Sequence, residues 1–420
     1  MATVTDKKML RARDYVSRSA ALPKMDLSGI FLAVLFTAFL MPFSIGIGGE
    51  GISANYSFLL LPAVIALATG KLQLPSKKYR QIMIIYVAIF MLATIFQPSY
   101  IGLFDRRVAS FVIFMSAFAY MFIKIELDMV RSFKVAIVVI SVLLTFHQLF
   151  RYFSLDVATL GDAGKDAVGT QRIGFIYILG FWLLLQFFPK GKILLTLKFI
   201  CLAIVLAGLL LTFSRSSIVA LIGSVGLYVA YEVLKWLKRP KPLKKRAILG
   251  AASLIIAFLP ITVLLVDYVP TTFEFFADRL FSTHTASGAE TFDFDNPEAS
   301  EGYRIFIFKK IVEYVAFNPF TGSGYLGVWI MFENAAGSAH SQYTDVLFRT
   351  GVFGFLAYAF LIIKLLNFLR PREPGLFWGV VGILIYGLFH ETFKESQGGV
   401  ILAFLLGMMA SFEKKSSKST

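Results

Sequence analysis

Residues 194–234 read LLTLKFICLAIVLAGLLLTFSRSSIVALIGSVGLYVAYEVL. Two apolar runs lie on either side of one short polar step, Thr212–Ser217, which contains Arg215. A helix needs about 20 predominantly apolar residues to cross the hydrocarbon core of a bilayer. The stretch therefore predicts two membrane-spanning helices, near 194–212 and 216–234, with almost no loop between them.

The rest of the chain repeats this pattern. Of its 420 residues 57% are hydrophobic and only 16% are charged, with a mean hydropathy of +0.73, whereas soluble domains carry about 25% charged residues. Apolar runs of this length predict an all-α polytopic membrane protein, because a membrane β-barrel would show short alternating segments instead. We predict about twelve transmembrane helices, near 29–46, 56–70, 81–97, 108–123, 135–152, 173–188, 194–212, 216–234, 247–267, 342–363, 374–390 and 398–412.

The distribution of basic residues predicts the orientation. If the N-terminus is cytoplasmic, 29 of the 41 Lys and Arg residues fall on the cytoplasmic side, in the two terminal segments and five short loops. Such an excess is typical of cytoplasmic loops, so the net charge of +15 indicates membrane topology and no nucleic-acid partner. The densest cluster, 235–246, is interpreted as an orientation signal, with an anionic-lipid site as the alternative.

Both termini are therefore predicted to be cytoplasmic. The first apolar run lacks a small-residue cleavage site, so we expect it to remain as the first span. The predicted divisions are a cytoplasmic N-terminal segment (1–28), transmembrane helices one to nine (29–267), a long outer loop (268–341), transmembrane helices ten to twelve (342–412) and a cytoplasmic tail (413–420).

The long outer loop changes character along its length. Residues 283–302 are rich in Ser, Thr, Gly and acidic residues, which is typical of a mobile lid or a disordered span. From Tyr303 to Phe317 apolar residues recur at helical spacing, which predicts an amphipathic helix along the outer membrane edge. Asn318-Pro319 is predicted to end this helix, and the glycines that follow indicate a tight turn. The predicted apolar positions of the helix are Ile305, Phe308, Ile311, Val312 and Val315.

Arginine dominates the ionisable residues predicted at the outer edge. Guanidinium groups donate hydrogen bonds in a planar fork that suits phosphate oxygens, so an outer cavity lined by arginines indicates an anionic substrate. The small hydroxyl residues around Arg215 can cap the next helix; the alternative is an interfacial arginine that snorkels. The outer-edge set is Arg106, Arg107, His147, Arg151, Arg172, Arg215, Arg304, His340, Asp345, Arg349, His390, Glu391 and Lys394.

His340 lies where the last part of the outer loop meets the tenth predicted span. A neutral imidazole can take a proton from a sugar hydroxyl near pH 7, although a histidine at such a position is more often a satisfied interfacial residue. The single cysteine, Cys201, has no partner, and the sequence contains no metal-ligand spacing. We therefore predict no disulfide within the chain, no metal site and no cofactor.

Three segments resemble the O-antigen ligase and polymerase superfamily of bacterial surface-polysaccharide assembly. The first, Leu210–Ser217, is similar to the family's "T-x-S-R-(G/S)" edge. The second runs from Arg304 to Asn318-Pro319-Phe320-Thr321-Gly322-Ser323-Gly324 and is similar to "R-x-x-x-(W/F)…NP-x-x-G-x-G". The third begins at His340-Ser341-Gln342-Tyr343, continues through Leu347 and Gly351 to Gly354, and is similar to "HN-x-Y-L-x-x-L-x-E-x-G-x-x-G". Together they cover about 210–360 in the family's order.

The chain departs from the family pattern at two positions. Ser341 stands where the family usually has Asn, which alters how His340 is oriented. Arg349 stands where the family often has Glu, which changes the charge pairing of that helix. Asp345 resembles an "H-x-x-Y-x-D" variant of polymerase members, and this favours a polymerase slightly over a ligase.

The resemblance implies an integral membrane glycosyltransferase that moves an undecaprenyl-pyrophosphate-linked glycan at the periplasmic face of the bacterial inner membrane without a metal ion. Arg215, Arg304 and His340 are then the catalytic residues. Arg215 and Arg304 also bind substrate, together with Arg106, Arg172 and Tyr343. The implied partners are the lipid-linked donor, a glycan or lipid A core acceptor, membrane lipids and a chain-length regulator.

Several activities stay open on the sequence. The leading one is an O-antigen or exopolysaccharide polymerase, and the first alternative is an O-antigen ligase that attaches the glycan to lipid A core. A protein O-oligosaccharyltransferase, a lipid-linked sugar transporter and a non-enzymatic assembly partner are further alternatives. The almost purely apolar span centres disfavour a transporter, which would place polar groups at mid-membrane.

Overall fold

The computed structural model describes residues 36, 44–47, 50–53, 72–77, 79–81, 83–85, 88, 118, 120–154, 173–187, 189, 191–212, 214–238, 300–320, 322–323, 339–393 and 396–417. Apart from one short hairpin, this part of the chain is almost entirely helical. Its α-helices are α1 (Leu127–Ser154), α2 (Gly174–Gln186), α3 (Lys192–Leu210), α4 (Arg215–Lys238), α5 (Ser300–Phe317), α6 (Gln342–Arg372), α7 (Pro374–Tyr386) and α8 (Ser396–Ser417).

Seven of these helices fall on predicted spans, the fifth to eighth and the tenth to twelfth. Within the described ranges, four are long and apolar enough to cross a membrane: Leu127–Phe150, Lys192–Leu210, Ser216–Leu237 and Gln342–Arg372. The second and ninth predicted spans lie outside the described residues, as do most of the first, third and fourth. The count of twelve therefore stays a prediction.

Several predicted boundaries were wrong. The first span was predicted to run to residue 46, but Ser44–Ile47 (β1) is a strand that pairs antiparallel with Glu50–Ser53 (β2). The intervening sequence is Gly48-Gly49, a dipeptide favoured in two-residue hairpin connections. The predicted loop 364–372 is helical, because buried Leu365, Phe368 and Leu369 continue the packed face of α6 to its end.

Helix α1 shows why the protein belongs in a membrane. Its exposed face is apolar: Val135, Val139, Leu143, Phe146 and Phe150 recur every three or four residues and are 39–75% exposed. Its buried face carries Ser141, Thr145 and Gln148. This arrangement is the reverse of a soluble helix, which turns its polar face to water. Outward apolar and inward polar side chains are what a lipid environment favours.

The described residues divide into two compact units. The first contains α2, α3, α4, α7 and α1 from Phe133 onward. Helix α2 lies at its centre, with nearly every residue from Gly174 to Leu185 buried. Trp182 donates a hydrogen bond from Nε1 to Ser224 Oγ (3.0 Å) and stacks on Trp378. These contacts join α2 to α4 and α7.

The contacts at the two ends of the first unit follow the predicted alternation of the chain across the membrane. Lys134 forms an ion pair with Glu373 (3.0 Å), and Arg370 donates to Tyr231 Oη (3.2 Å). These four residues belong to helix ends that the sequence predicts on the cytoplasmic side. At the other end Gly174 packs directly against the Ser217 side chain, and Phe175 contacts Tyr386; these ends are predicted outside.

The second unit contains α5, α8 and α6 as far as Phe368. Helix α8 is buried continuously from Val400 to Ala410. It packs against the short 3-10 turn Tyr120–Phe122, where the Ser411 hydroxyl accepts hydrogen bonds from Ile125 N (2.9 Å) and Gln73 Nε2 (2.8 Å). This packing holds α8 inside the unit.

Candidate functional site

The polar step between α3 and α4 forms a helix cap, as the sequence predicted. Ser214 stands before the first helical residue, Arg215, and its hydroxyl accepts a hydrogen bond from Ser217 N (3.4 Å). Ser214 Oγ also lies 2.8 Å from Ser216 Oγ, and Thr212 Oγ1 accepts from Ser214 N (3.3 Å). The first N–H groups of a helix carry a partial positive charge, so this step places Arg215 where an anion is favoured.

A buried hydroxyl lies beside this cap. Ser217 is fully buried against Gly174, and its Oγ has no hydrogen-bond partner among the described residues. Buried polar atoms are normally paired. Ser217 therefore adds a buried polar group two residues after Arg215.

Helix α5 confirms the predicted helix of the outer loop, but its buried face differs from the predicted one. Ile307 and Ile311 are fully buried, whereas Phe308 and Val312 are about half exposed. The error arose because this helix has apolar residues on two sides, one packed against protein and one open. Arg304 lies within the helical backbone of α5.

The glycine-rich turn after α5 docks on a break in α6. Gly351 has φ 63° inside α6, and Gly322 has φ 66° in the turn. Two backbone hydrogen bonds join the segments, from Ser323 N to Phe348 O and from Val352 N to Pro319 O, both 2.7 Å. The second and third family-like segments are thus one structural element.

Both glycines are required by this close approach. A Cβ on Gly322 would lie 2.5 Å from Phe348 O, and one on Gly351 would lie 2.6 Å from the Phe320 carbonyl carbon. Such distances are far below van der Waals contact, and the left-handed conformation further disfavours any side chain. Phe320 stacks on Phe353 and covers the junction from outside.

His340 is held in a left-handed backbone conformation just before α6. Its φ is 51°, which makes it the non-glycine residue with positive φ in the described chain. On one side Ala339 N donates a hydrogen bond to Glu391 Oε1. On the other side Gln342 N donates to Gly387 O (2.8 Å) and His390 O (3.1 Å), and Gln342 Oε1 accepts from Phe393 N (2.8 Å).

The segment Gly387–Phe393, here called the clamp segment, therefore fixes the backbone on both sides of His340. Ser341 also contributes, because its hydroxyl donates to Gly387 O (3.4 Å). A serine where the family usually has Asn thus contacts the clamp segment. His340 itself is half-buried.

The unexpected Arg349 forms an ion pair with Asp345. Arg349 Nε lies 2.9 Å from Asp345 Oδ1 and 3.0 Å from Oδ2, one helical turn apart, and both side chains are buried. The charges of Arg349 and Asp345 thus compensate each other. The Asp345 carboxylate is therefore engaged by Arg349 within the helix.

The predicted site residues are distributed over both units. Arg215 lies in the first unit, and Arg304, His340 and Tyr343 lie in the second. The structure describes the helical backbone of Arg215 and Arg304, and it places Tyr343, half-buried, in the first turn of α6. Arg106 and Arg172 lie outside the described residues. Their roles stay predictions.

Sequence reasoning did not assign roles to Gln342 and Glu391. Both belong to polar breaks between apolar runs, and Glu391 was among the predicted outer-edge residues. The sequence feature that could have identified Glu391 is that an acidic residue in so apolar a stretch is rarely buried without a partner. Among the described residues, no group of three or more His, Cys, Asp or Glu side chains could hold a metal ion.

The apolar outward faces and membrane-length helices define a helical membrane protein. In it a docked glycine turn is followed along the chain by a histidine whose backbone is held on both sides. Residues 200–359 match the family model described as O-antigen ligase. The match supports the O-antigen ligase and polymerase superfamily for this part of the chain, and it confirms the resemblance of the three segments. No curated protein matches the chain.

The family supports an O-antigen ligase-type membrane enzyme, with a lipid-linked glycan and an acceptor as its general substrates. The matched residues include Arg215, Arg304 and His340, together with the docked turn and the break in α6.

Proposed function

We propose that the protein is a periplasmic-face glycosyltransferase of the bacterial inner membrane that polymerises an undecaprenyl-pyrophosphate-linked glycan. The observation that carries the proposal is the fixed, left-handed His340 inside a stretch that matches the O-antigen ligase family. Backbone strain at a non-glycine residue clusters at functional sites, where the surrounding structure maintains it. Here two sets of hydrogen bonds maintain it.

In the proposed reaction an acceptor sugar hydroxyl attacks the anomeric carbon of the donor glycan. The new bond is the glycosidic C–O bond, and the bond that breaks joins the anomeric carbon to the pyrophosphate. The electron pair leaves with undecaprenyl pyrophosphate, and the hydroxyl proton passes to the imidazole of His340. Arg215 and Arg304 bind the pyrophosphate and stabilise the charge that develops on it.

Arginine suits this leaving group without a metal ion. A guanidinium stays protonated and donates two parallel hydrogen bonds to phosphate oxygens. The cap at Ser214 adds the positive end of α4 beside Arg215. Arg106, Arg172 and Tyr343 are proposed to contact the remainder of the lipid-linked glycan.

An O-antigen ligase is the second candidate, and the description of the matching family model favours it. The two activities share the donor and the leaving group and differ in the acceptor. A ligase transfers the glycan to lipid A core, whereas a polymerase transfers it to another lipid-linked repeat unit. The pattern of surface glycan distinguishes them: without a polymerase the core carries single repeat units, and without a ligase it stays bare.

The test uses a strain that lacks the gene and is complemented with single variants. His340→Asn, Arg215→Ala and Arg304→Ala are expected to leave the glycan pattern of the deletion strain at normal protein level. Matched controls are Lys235→Ala, an exposed cation near the far end of α4, and Lys310→Ala, an exposed cation on α5 that pairs with Glu313. Full-length glycan in the His340→Asn strain would refute the proposal.

A further inference from the structure

Glu391 is a buried residue that contacts the backbone directly before His340, although the two residues are far apart in the sequence. It is 6% exposed, and its carboxylate accepts a hydrogen bond from the backbone N–H of Ala339, which is also 6% exposed. The two residues are 52 positions apart in the chain. A buried carboxylate is costly unless it has a specific partner, and here a partner is the backbone directly before His340.

A second set of hydrogen bonds to the clamp segment is made two residues after His340. Gln342 is 1% exposed and uses both its backbone N–H and its side-chain oxygen to bind the clamp segment. His340 thus stands between two fixed points, and the positive φ falls on the residue between them. The clamp segment, rather than the preference of the local sequence, determines where His340 lies.

We propose that Glu391 is a positioning residue for His340, acting as the hydrogen-bond acceptor that fixes Ala339 and so sets the direction of the imidazole. This inference rests on the proposed function, because it concerns the same site. A displacement of about 1 Å at a reacting group can lower a rate by about a hundredfold. Loss of the hydrogen-bond acceptor at Glu391 should therefore lower the turnover number, with a smaller effect on substrate binding.

The test compares Glu391→Ala with Glu391→Gln in purified protein, using lipid-linked glycan extracted from the deletion strain as donor. Glu391→Gln retains an oxygen that accepts the bond, so its kcat should stay within about threefold of wild type. Glu391→Ala should lower kcat by about tenfold to a hundredfold, with the KM for the donor within about threefold. Hydrogen exchange should accelerate at residues 339–342 in Glu391→Ala alone.

Two further variants make the result unambiguous. Glu373→Ala removes a glutamate that is equally buried, in the first unit, and pairs with Lys134; it should lower the unfolding temperature without reproducing the fall in kcat. Glu391→Asp retracts the acceptor by one methylene and replaces Glu391→Ala if that protein does not fold. It should show the same fall in kcat at constant KM.

The inference is overturned if Glu391→Ala, or Glu391→Asp in its place, keeps kcat within about threefold. It is also overturned if Glu391→Gln loses as much activity as Glu391→Ala, since the acceptor is present in both wild type and Glu391→Gln. His340→Asn separates the two proposals. If that variant is active, the proposed function fails; if it is inactive while Glu391→Ala is active, only the positioning role fails.

Discussion

At the scale of single residues, His340 combines a reactive side chain with an unfavourable backbone. A left-handed conformation costs an ordinary L-residue about 1 kcal/mol, although His and Asn tolerate it better than most. The protein maintains it through Ala339 and Gln342, both bound to the clamp segment. Two separate requirements therefore apply to the residue at position 340: its backbone must adopt the left-handed conformation, and its side chain must be reactive.

Substitutions at His340 can separate these two constraints. Asn tolerates positive φ and lacks a basic ring, so His340→Asn should unfold at a temperature within about 2 °C of wild type. Its transfer activity should fall at least about a hundredfold, the usual contribution of a general base. His340→Ala should lose activity similarly and unfold at a lower temperature than His340→Asn. Thermal unfolding in detergent and a donor-consumption assay measure the two effects, and an active His340→Asn would contradict the assignment.

The Asp345–Arg349 pair is the second residue-scale feature. Removing one member of a buried ion pair typically costs about 3–5 kcal/mol, since the other charge stays in a poorly solvated place. Arg349→Met should therefore lower the free energy of unfolding by about 3 kcal/mol. Asp345→Asn in the same protein should restore about half of that loss. A double-mutant cycle measures the coupling, and additive losses would show that the two side chains act independently.

At the scale of elements, the junction between the glycine turn and α6 constrains both segments. Its two backbone hydrogen bonds use groups that the break at Gly351 and the turn at Gly322 release. Helix α5 approaches the same helix through Tyr314, whose ring lies 4.7 Å from that of Phe348. The junction therefore fixes the end of α5 relative to the start of α6.

Alanine at either glycine should break this junction. Gly322→Ala and Gly351→Ala each place a Cβ against backbone atoms and impose an unfavourable φ, so each should cost about 1–3 kcal/mol or more. Gly226→Ala is the matched control, because its Cβ would meet no atom within 4 Å. That control should be neutral or slightly stabilising in a helix. Unfolding temperatures of the three variants measure the difference, and equal values would contradict the described junction.

At the scale of the whole molecule, the contacts within the first unit group helix ends in the way that the predicted topology requires. Lys134, Tyr231, Arg370 and Glu373 come from three helix ends and the link between α6 and α7, all of which the sequence predicts on the cytoplasmic side. Gly174, Ser217 and Tyr386 come from three ends predicted outside. The grouping supports alternate crossing by these helices.

Labelling of introduced cysteines tests the predicted orientation. In a Cys201→Ala background, Lys241→Cys should react with a membrane-impermeant maleimide only after the membrane is opened. Asp295→Cys should react in intact cells whose outer membrane is permeabilised. Val139→Cys, on the apolar exposed face of α1, should react poorly in both conditions because it faces lipid. The opposite labelling of the two loop positions would invert the topology.

The sequence predicted what depends on local composition. Apolar run length located seven helices, and the hydroxyls around Arg215 predicted the cap at Ser214. It did not predict contacts that join distant segments, such as Gly322 with Gly351 or Ala339 with Glu391, because their partners are set by packing. The boundary errors at Ser44–Ile47 and at 364–372 arose where run length could not separate a strand or a continuing helix from a span or a loop.

The attachments described above also have a consequence for engineering. Ser323 N donates a hydrogen bond to Phe348 O, and Ala339 N donates one to Glu391 Oε1. Residues 324–338, here called the insert, therefore lie in the sequence between two residues that are attached within one unit. Doubling the length of a loop between fixed ends costs only about 0.6 kcal/mol. We expect that this insert can be exchanged for those of related enzymes without loss of folding, measured as unchanged membrane expression and unfolding temperature.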